Sequence, residues 1–253
     1  MNELQTMTWR DAQVALESVR LAVIPTGSCE QHGPHMSLSS DIEIATALAR
    51  RLVEDLGPIA LLCPSISYGL SEHHMGFPGT LTLRPGTLDA VLGDLLESLE
   101  HWKIRRVLFV NGHGGNIDAL RSVARKARRD LGMIVGSVMW SQLAAGAIAE
   151  RVSSPRYGHA CEVETSVAIV LAPHCVFRDR IEDPQPAGPE DPLTDPPGAV
   201  ADLPISFSEW THNGSLGDPR LSDEDLGREI VTIAHERALS FARQLATRDP
   251  DTP

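Results

Sequence analysis

The sequence predicts an α/β fold, a mostly parallel sheet covered by helices, and three observations carry that expectation. Short apolar runs, most of them bounded by Pro or Gly, alternate with stretches of helical period, the pattern of β-α-β units. The clearest buried run, residues 106–110, passes straight into the glycine-rich Asn111-Gly112-His113-Gly114-Gly115-Asn116. The 253 residues, 42% hydrophobic and 22% charged, suffice for a full core and have ordinary globular proportions.

Residues 21–24 form the first strand candidate, stopped by Pro25 and Gly27. In residues 42–56 the apolar positions Ala45, Leu48, Ala49, Leu52, Val53 and Leu56 follow the helical period, and Ser40 with Glu43 makes a capping-box signature at the start. Residues 59–63 read as a second strand ending at Pro64, and residues 79–83 as a candidate edge strand of antiparallel sense. Leu88, Leu92, Leu95, Leu96 and Leu99 trace one face of a long helix. After the 106–110 strand, Asn116 is placed to cap a helix carrying Ile117, Leu120, Ala124, Ala127 and Leu131. Residues 133–139 give another strand and 162–171 a helix. Residues 183–204 turn to Pro, Asp and Gly with little periodicity, which predicts a surface loop or lid. Residues 222–246 close the fold as a helix with Leu226, Ile230, Phe241 and Leu245 inward, and residues 247–253 are expected to fray. The whole chain, residues 1–253, is read as a single domain.

Twenty-two Lys and Arg against 34 Asp and Glu leave a net charge of -12. That balance opposes a sequence-independent grip on nucleic-acid phosphates. Aromatics, at 4%, are too sparse for a base-stacking platform. Cys29, Cys63, Cys161 and Cys175 form no Cys-x-x-Cys pair, which fits a reduced cytosol. No apolar run follows Glu3 and Arg10 at the N-terminus, and no segment approaches the ~18 consecutive apolar residues of a membrane span. The expectation is a cytoplasmic protein with neither nucleic acid nor membrane as a partner.

Four clusters could carry chemistry. Glu30-Gln31-His32-Gly33-Pro34-His35 follows the first strand, at the carboxyl end where open α/β sheets place their sites. In extended backbone Glu30 and His32 point to one side, an oxygen and an imidazole nitrogen suited to zinc, manganese or iron. A polar loop with a capped turn at Gly33-Pro34 is the lesser alternative for that segment taken alone. Asp41 sits at the next helix start, where a favourable interaction with the helix dipole is its other reading. His113 also lies just past a strand, among glycines that permit close approach. The stretch lacks the spacing of a phosphate loop. His159-Ala160-Cys161-Glu162-Val163-Glu164 enters a helix, and glutamates two apart there do not share a face, so they should have different partners. One could bind metal while the other holds a ligand or a backbone group. A solvated acidic helix start remains the alternative. Two histidines with three carboxylates exceed one tetrahedral zinc and suit two divalent ions bridged by one carboxylate.

At these residues the sequence resembles the creatininase family, metal-dependent amidohydrolases with a three-layer α/β fold. The resemblance covers nearly the whole chain, through residues 25–35, Asp41, 69–79, 111–116, 159–166 and 213–219. It implies Glu30, His32, Asp41 and His113 as ligands of two divalent ions, Zn2+ first with Mn2+ or Fe2+ as alternatives, and Asp41 bridging. It also implies a homo-oligomer, commonly a hexamer. Creatinine-hydrolysing members carry a glutamate ligand where this chain has Gly115. Glu162 is the expected replacement, leaving Glu164 behind the ligands. Their pocket tryptophans are matched at most by Trp140; the stretch before His159 offers Arg156 and Tyr157 instead, with Arg156 a candidate anion contact. His35 and Asn111 are placed with these residues around the substrate or behind the ligands.

The expected reaction is hydrolysis of a non-peptide C–N bond in a small-molecule cyclic amide or formamide, by a hydroxide held between the two metals. His159 would pass a proton to the leaving nitrogen. Two other readings compete: a peptide-cleaving member of the kind that acts in mycofactocin maturation, and a binder of metal or small ligand without turnover.

Overall fold

The structure, a computed structural model, describes residues 2–188 and 204–252. Most of the 183–204 loop, residues 189–203, lies outside the described residues. A short helix α1 (Trp9–Leu16) precedes β1 (Leu21–Thr26), α2 (Ser40–Leu56), β2 (Ala60–Leu62), α3 (Pro85–His101), β3 (Arg106–Asn111), α4 (Ile117–Leu131) and β4 (Ile134–Met139). Then come α5 (Trp140–Leu143), α6 (Ala145–Arg151), α7 (Glu162–Leu171), α8 (Phe207–Trp210) and α9 (Glu224–Thr247). Among the described residues the four strands are all parallel in the order β2-β1-β3-β4, with Val23 paired to both Leu62 and Leu108, and Phe109 to Ser137.

Alternation along the strands sorts the core. Leu21, Val23, Leu108 and Val110 face one side, packed with buried residues of α2, α7 and α9. Ala22, Ile24, Val107 and Phe109 face the other, against Leu88, Leu92 and Leu96 of α3 and Leu120 and Val123 of α4. Helices on both faces of one sheet make three layers, and the carboxyl ends of β1 and β3 open at a common edge. Among the described residues no helix is long and apolar enough to cross a membrane.

The departures from expectation have local causes. Helix α1 went unread because it is eight residues long with no buried face; a Thr8–Asp11 capping box closes its start. Residues 79–83 are not a strand, because Leu81 makes a lone antiparallel bridge to Cys29 and the backbone then leads into α3 at Pro85. Ser40 does not cap α2; its hydroxyl donates to Ser37 O at 2.7 Å. Asn116 does not cap α4 through its side chain. Its Oδ1 accepts from Leu70 N (3.0 Å) and its Nδ2 donates to Gly27 O (3.0 Å), which ties three site loops together. Phe241 is 40% exposed, its ring lying over Gly136 of β4. In the tail read as frayed, Arg106 donates to Arg248 O (2.6 Å) and Arg128 to Pro250 O (2.6 Å) and Thr252 O (2.9 Å).

Candidate metal centre

The six candidate ligands arrive from four places in the fold. Glu30 and His32 follow β1, Asp41 sits in the first turn of α2, His113 follows β3, and His159 and Glu164 flank the start of α7. All six are buried. The approach of β3 to α2 depends on Gly112, where a Cβ would stand 2.2 Å from Asp41 O.

Two triads of donors result. Glu30, Asp41 and His113 form one, with His113 Nδ1 at 3.2 Å from both Glu30 Oε1 and Asp41 Oδ2. His32, Asp41 and Glu164 form the other, with His32 Nε2 at 3.2 Å from Asp41 Oδ1 and 3.9 Å from Glu164 Oε1. Within each triad the donor atoms lie within 4.8 Å of one another, and Asp41 belongs to both. A third group joins His159 to Glu30 and His32.

The electrostatics of this centre favour cations. Glu30, Asp41 and Glu164 are buried carboxylates, and the cationic side chains within 4.0 Å of them among the described residues are histidines. Buried negative charge without a firm counter-ion is costly. Burial opposes charge on His32, but Asp41 and Glu164 outweigh it and raise its pKa to about 10. Burial likewise opposes charge on His113, and Glu30 and Asp41 overcome it, so its pKa lies well above the usual imidazole range. Glu164 is pushed up to about 7 by burial, with His32 acting against the shift. Protons thus collect where imidazoles meet carboxylates, the places a divalent ion would take. Asp41 Oδ2 is buried and meets only the His113 imidazole, at 3.2 Å and short of good hydrogen-bond geometry, which leaves the shared carboxylate able to take another partner. Donor types, burial and charge all fit a divalent metal pair.

The geometry exchanges the expected places of Glu162 and Glu164. The Glu162 carboxylate accepts from Ser153 N (3.2 Å), Ser154 N (2.9 Å) and Ser154 Oγ (2.9 Å), so it fastens the 153–154 turn rather than facing the donors of the centre. Glu164 faces His32 instead. Gly115 has no vacancy for a side chain either: a Cβ there would lie 2.2 Å from Leu70 O and 2.5 Å from His113 Nε2. His113 Nε2 meets that same carbonyl at 2.9 Å, which fixes the ring and turns Nδ1 to the carboxylates.

The other expected residues divide. His159 Nε2 meets Gln31 O at 2.7 Å, so Nδ1 is the nitrogen turned to the centre, 3.9 Å from Glu30 Oε1 and 3.8 Å from Glu164 Oε2. Burial, with His32 and His74 nearby, holds His159 well below the usual imidazole pKa. Asn111 braces the loop under His113, its Nδ2 donating to His113 O at 2.6 Å. His35 is buried against Thr165 Oγ1 (2.9 Å). Trp140 lies in the core and Tyr157 packs against that core. Arg156 lines a cavity of about 370 Å³ with Trp210 and Leu216, next to the centre through the Leu216 N to His159 O bond of 2.8 Å.

Two participants were missed. His74 is buried with Nε2 at 3.3 Å from Glu30 Oε1. Phe207 covers the centre, stacked on His74 (4.2 Å between centroids) and edge-on to His159 (4.8 Å). The run Glu72-His73-His74 was a visible signal for the first; Phe207, beyond a long loop, had none except the scarcity of aromatics.

An α/β layer structure thus gathers at its strand ends a buried imidazole–carboxylate centre whose donors could hold a metal ion. Residues 5–242 match the creatininase family, described as creatinine amidohydrolase, and the chain belongs to that family. It is 36% identical to the mycofactocin precursor peptide peptidase of Mycobacterium ulcerans (strain Agy99) across 82% of this chain and 78% of the relative. For the protein of the same name from Mycolicibacterium smegmatis (strain ATCC 700084 / mc(2)155), identity is 35% across 64% of this chain, and the match spans 62% of the relative, under two thirds of its length. Creatinine amidohydrolase from Pseudomonas putida is 30% identical across 90% of both chains. Among solved structures, a mutant creatininase of Zn-Zn type superposes with a TM-score of 0.81 at 25% identity, covering 97% of this chain and 98% of that one. A manganese creatininase gives 0.79 at 23% identity, covering 97% and 99%.

Proposed function

We propose that this protein is a two-metal amide hydrolase acting on a peptide or peptide-derived substrate. The observation that carries the metal reading is the pair of buried donor triads sharing Asp41. Glu30 and His113 would hold one ion, His32 and Glu164 the other, with Asp41 between them. Zinc or manganese is the ion of choice, since related structures are of Zn-Zn and manganese types. Divalent ions bound here would supply Lewis acidity, lowering the pKa of water toward about 7 and polarising an amide carbonyl.

The chain's own residues supply the proton path. With its Nε2–H donated to Gln31 O, neutral His159 presents a lone pair at Nδ1. That nitrogen would take the proton of an attacking water and return it to the leaving nitrogen. Phe207, over His74 and His159, would keep bulk water from the reacting atoms. The non-peptide preference expected from sequence gives way because the peptidase relatives, at 35–36% identity, exceed the creatinine hydrolase at 30%. A non-peptide amide remains the second reading, favoured by the wider coverage of that 30% relative, 90% of both chains.

The test is hydrolysis of short peptides, creatinine, cyclic ureides and formamides by purified protein with added zinc or manganese, products read by mass spectrometry. Peptide amide cleavage should stop on chelation, and His159→Gln should lower it ~100- to 10,000-fold with metal retained. Thermal stabilisation by a ligand that is never turned over would instead identify a binder.

A further inference from the structure

One short segment reaches both oxygens of the Glu30 carboxylate, one through a hydrogen bond from Ser71 and the other through the nearby His74 imidazole. Residues Glu72–His74 form a 3₁₀ turn with Ser71 at its N-cap. Side chains three apart eclipse in that geometry, so Ser71 and His74 emerge on one face. The Ser71 hydroxyl donates to Glu30 Oε2, and His74 Nε2 stands 3.3 Å from Glu30 Oε1. Ser71, His74 and Glu30 are all buried.

Which nitrogen of His74 carries the proton follows from its other neighbour. Gly33 N–H donates to Gln31 Oε1 (2.9 Å), which assigns the oxygen of that amide. Gln31 Nε2 then donates to Gly214 O (3.2 Å) and to His74 Nδ1 (3.0 Å). Nδ1 is therefore an acceptor, and neutral His74 bears its hydrogen on Nε2, toward Glu30. Phe207 stacked on the ring holds it in that orientation.

We propose that His74 is a positioning residue of the metal centre, a fixed-tautomer N–H donor that, with Ser71, aims the Glu30 carboxylate at its ion. This rests on the two-metal reading above. Donors behind a ligand commonly set metal affinity by ten- to a hundred-fold.

Two polar variants separate this role from general packing. The amide of His74→Asn overlays the Nδ1 side of imidazole and can still meet Gln31, but it stops short of Glu30. The nitrogen of His74→Gln reaches the Nε2 position. Both would be prepared metal-free, their melting temperatures compared with the wild type in EDTA, and their zinc affinity measured by competition with a chelating indicator. His74→Asn should bind zinc about ten- to a hundred-fold more weakly, with His74→Gln staying closer to the wild type than to His74→Asn. Wild-type affinity in His74→Asn, or equal loss in both variants, overturns the assignment while leaving the metal centre intact. A wild-type protein that takes up no zinc overturns both.

Discussion

At Glu162 and Glu164 the same side chain meets opposite surroundings, because two residues along a helix are about 200° of rotation apart. The sequence shows that they need different partners but not which of them turns inward, since that depends on how α7 is rolled against α9. Glycine at 227 settles the roll: a Cβ there would lie 2.1 Å from Ser166 O, so the two helices touch backbone to side-chain-free backbone. Glu164→Gln is therefore expected to lose metal from the His32 side of the centre, read as a fall in bound metal per chain. Glu162→Gln should keep its metal but melt earlier. It weakens a buried carboxylate's bonds to Ser153 and Ser154, a loss on the order of 1–3 kcal/mol. The reverse pattern would restore Glu162 as the ligand. In the sequence Glu30, His32 and His113 stand out as candidate donors because each follows a strand, whereas Asp41, which taken alone reads as a helix-dipole acid, becomes a candidate ligand only through the family resemblance. His74 was not legible, since its link to Glu30 is made through space across 44 positions of chain.

The elements were read more reliably than their ends. Parallel strands announce themselves as apolar runs, and the four among the described residues, three buried and β4 mostly half-buried, all match expected runs. Caps and edges depend on tertiary partners, and there Ser40 and Asn116 chose Ser37, Leu70 and Gly27 over the helix starts expected of them. The β3–α4 loop shows the same priority of packing. The family resemblance implies that a glutamate at 115 would add a ligand, but Leu70 O already occupies the space a Cβ needs. Gly115→Glu should consequently destabilise the protein by roughly 1–3 kcal/mol, or about 2–4 °C of melting temperature per kcal/mol, and reduce rather than raise metal uptake. Gly115→Ala should share the loss of stability, because the collision begins at Cβ. An unchanged melting curve with tighter metal binding in Gly115→Glu would show that the loop yields.

For the molecule as a whole, the centre makes stability depend on pH in a way that metal should erase. His32, with its pKa raised to about 10, and His113, raised well above the usual range, keep protons in the folded metal-free protein that the unfolded chain releases near 6.5. The folded state then binds more protons than the unfolded one above pH 6.5. The stability these groups contribute is complete below 6.5 and is lost as pH rises toward about 10, by at most about 1.4 kcal/mol per pH unit for each retained proton. His35 and His74, lowered to about 4 and about 3 by burial, act below that window. The buried thiols Cys63 and Cys161, raised to about 12 by burial, reinforce the decline only above about pH 9. Between pH 6.5 and 8.5 the melting temperature of chelated protein should thus fall steadily. Zinc-loaded protein should hold level or rise, because divalent ions replace those protons and bind more tightly as protons are withdrawn. Parallel melting curves with and without zinc across this range would mean that the imidazole–carboxylate cluster does not exchange protons for metal, and would remove its electrostatic case as a metal centre.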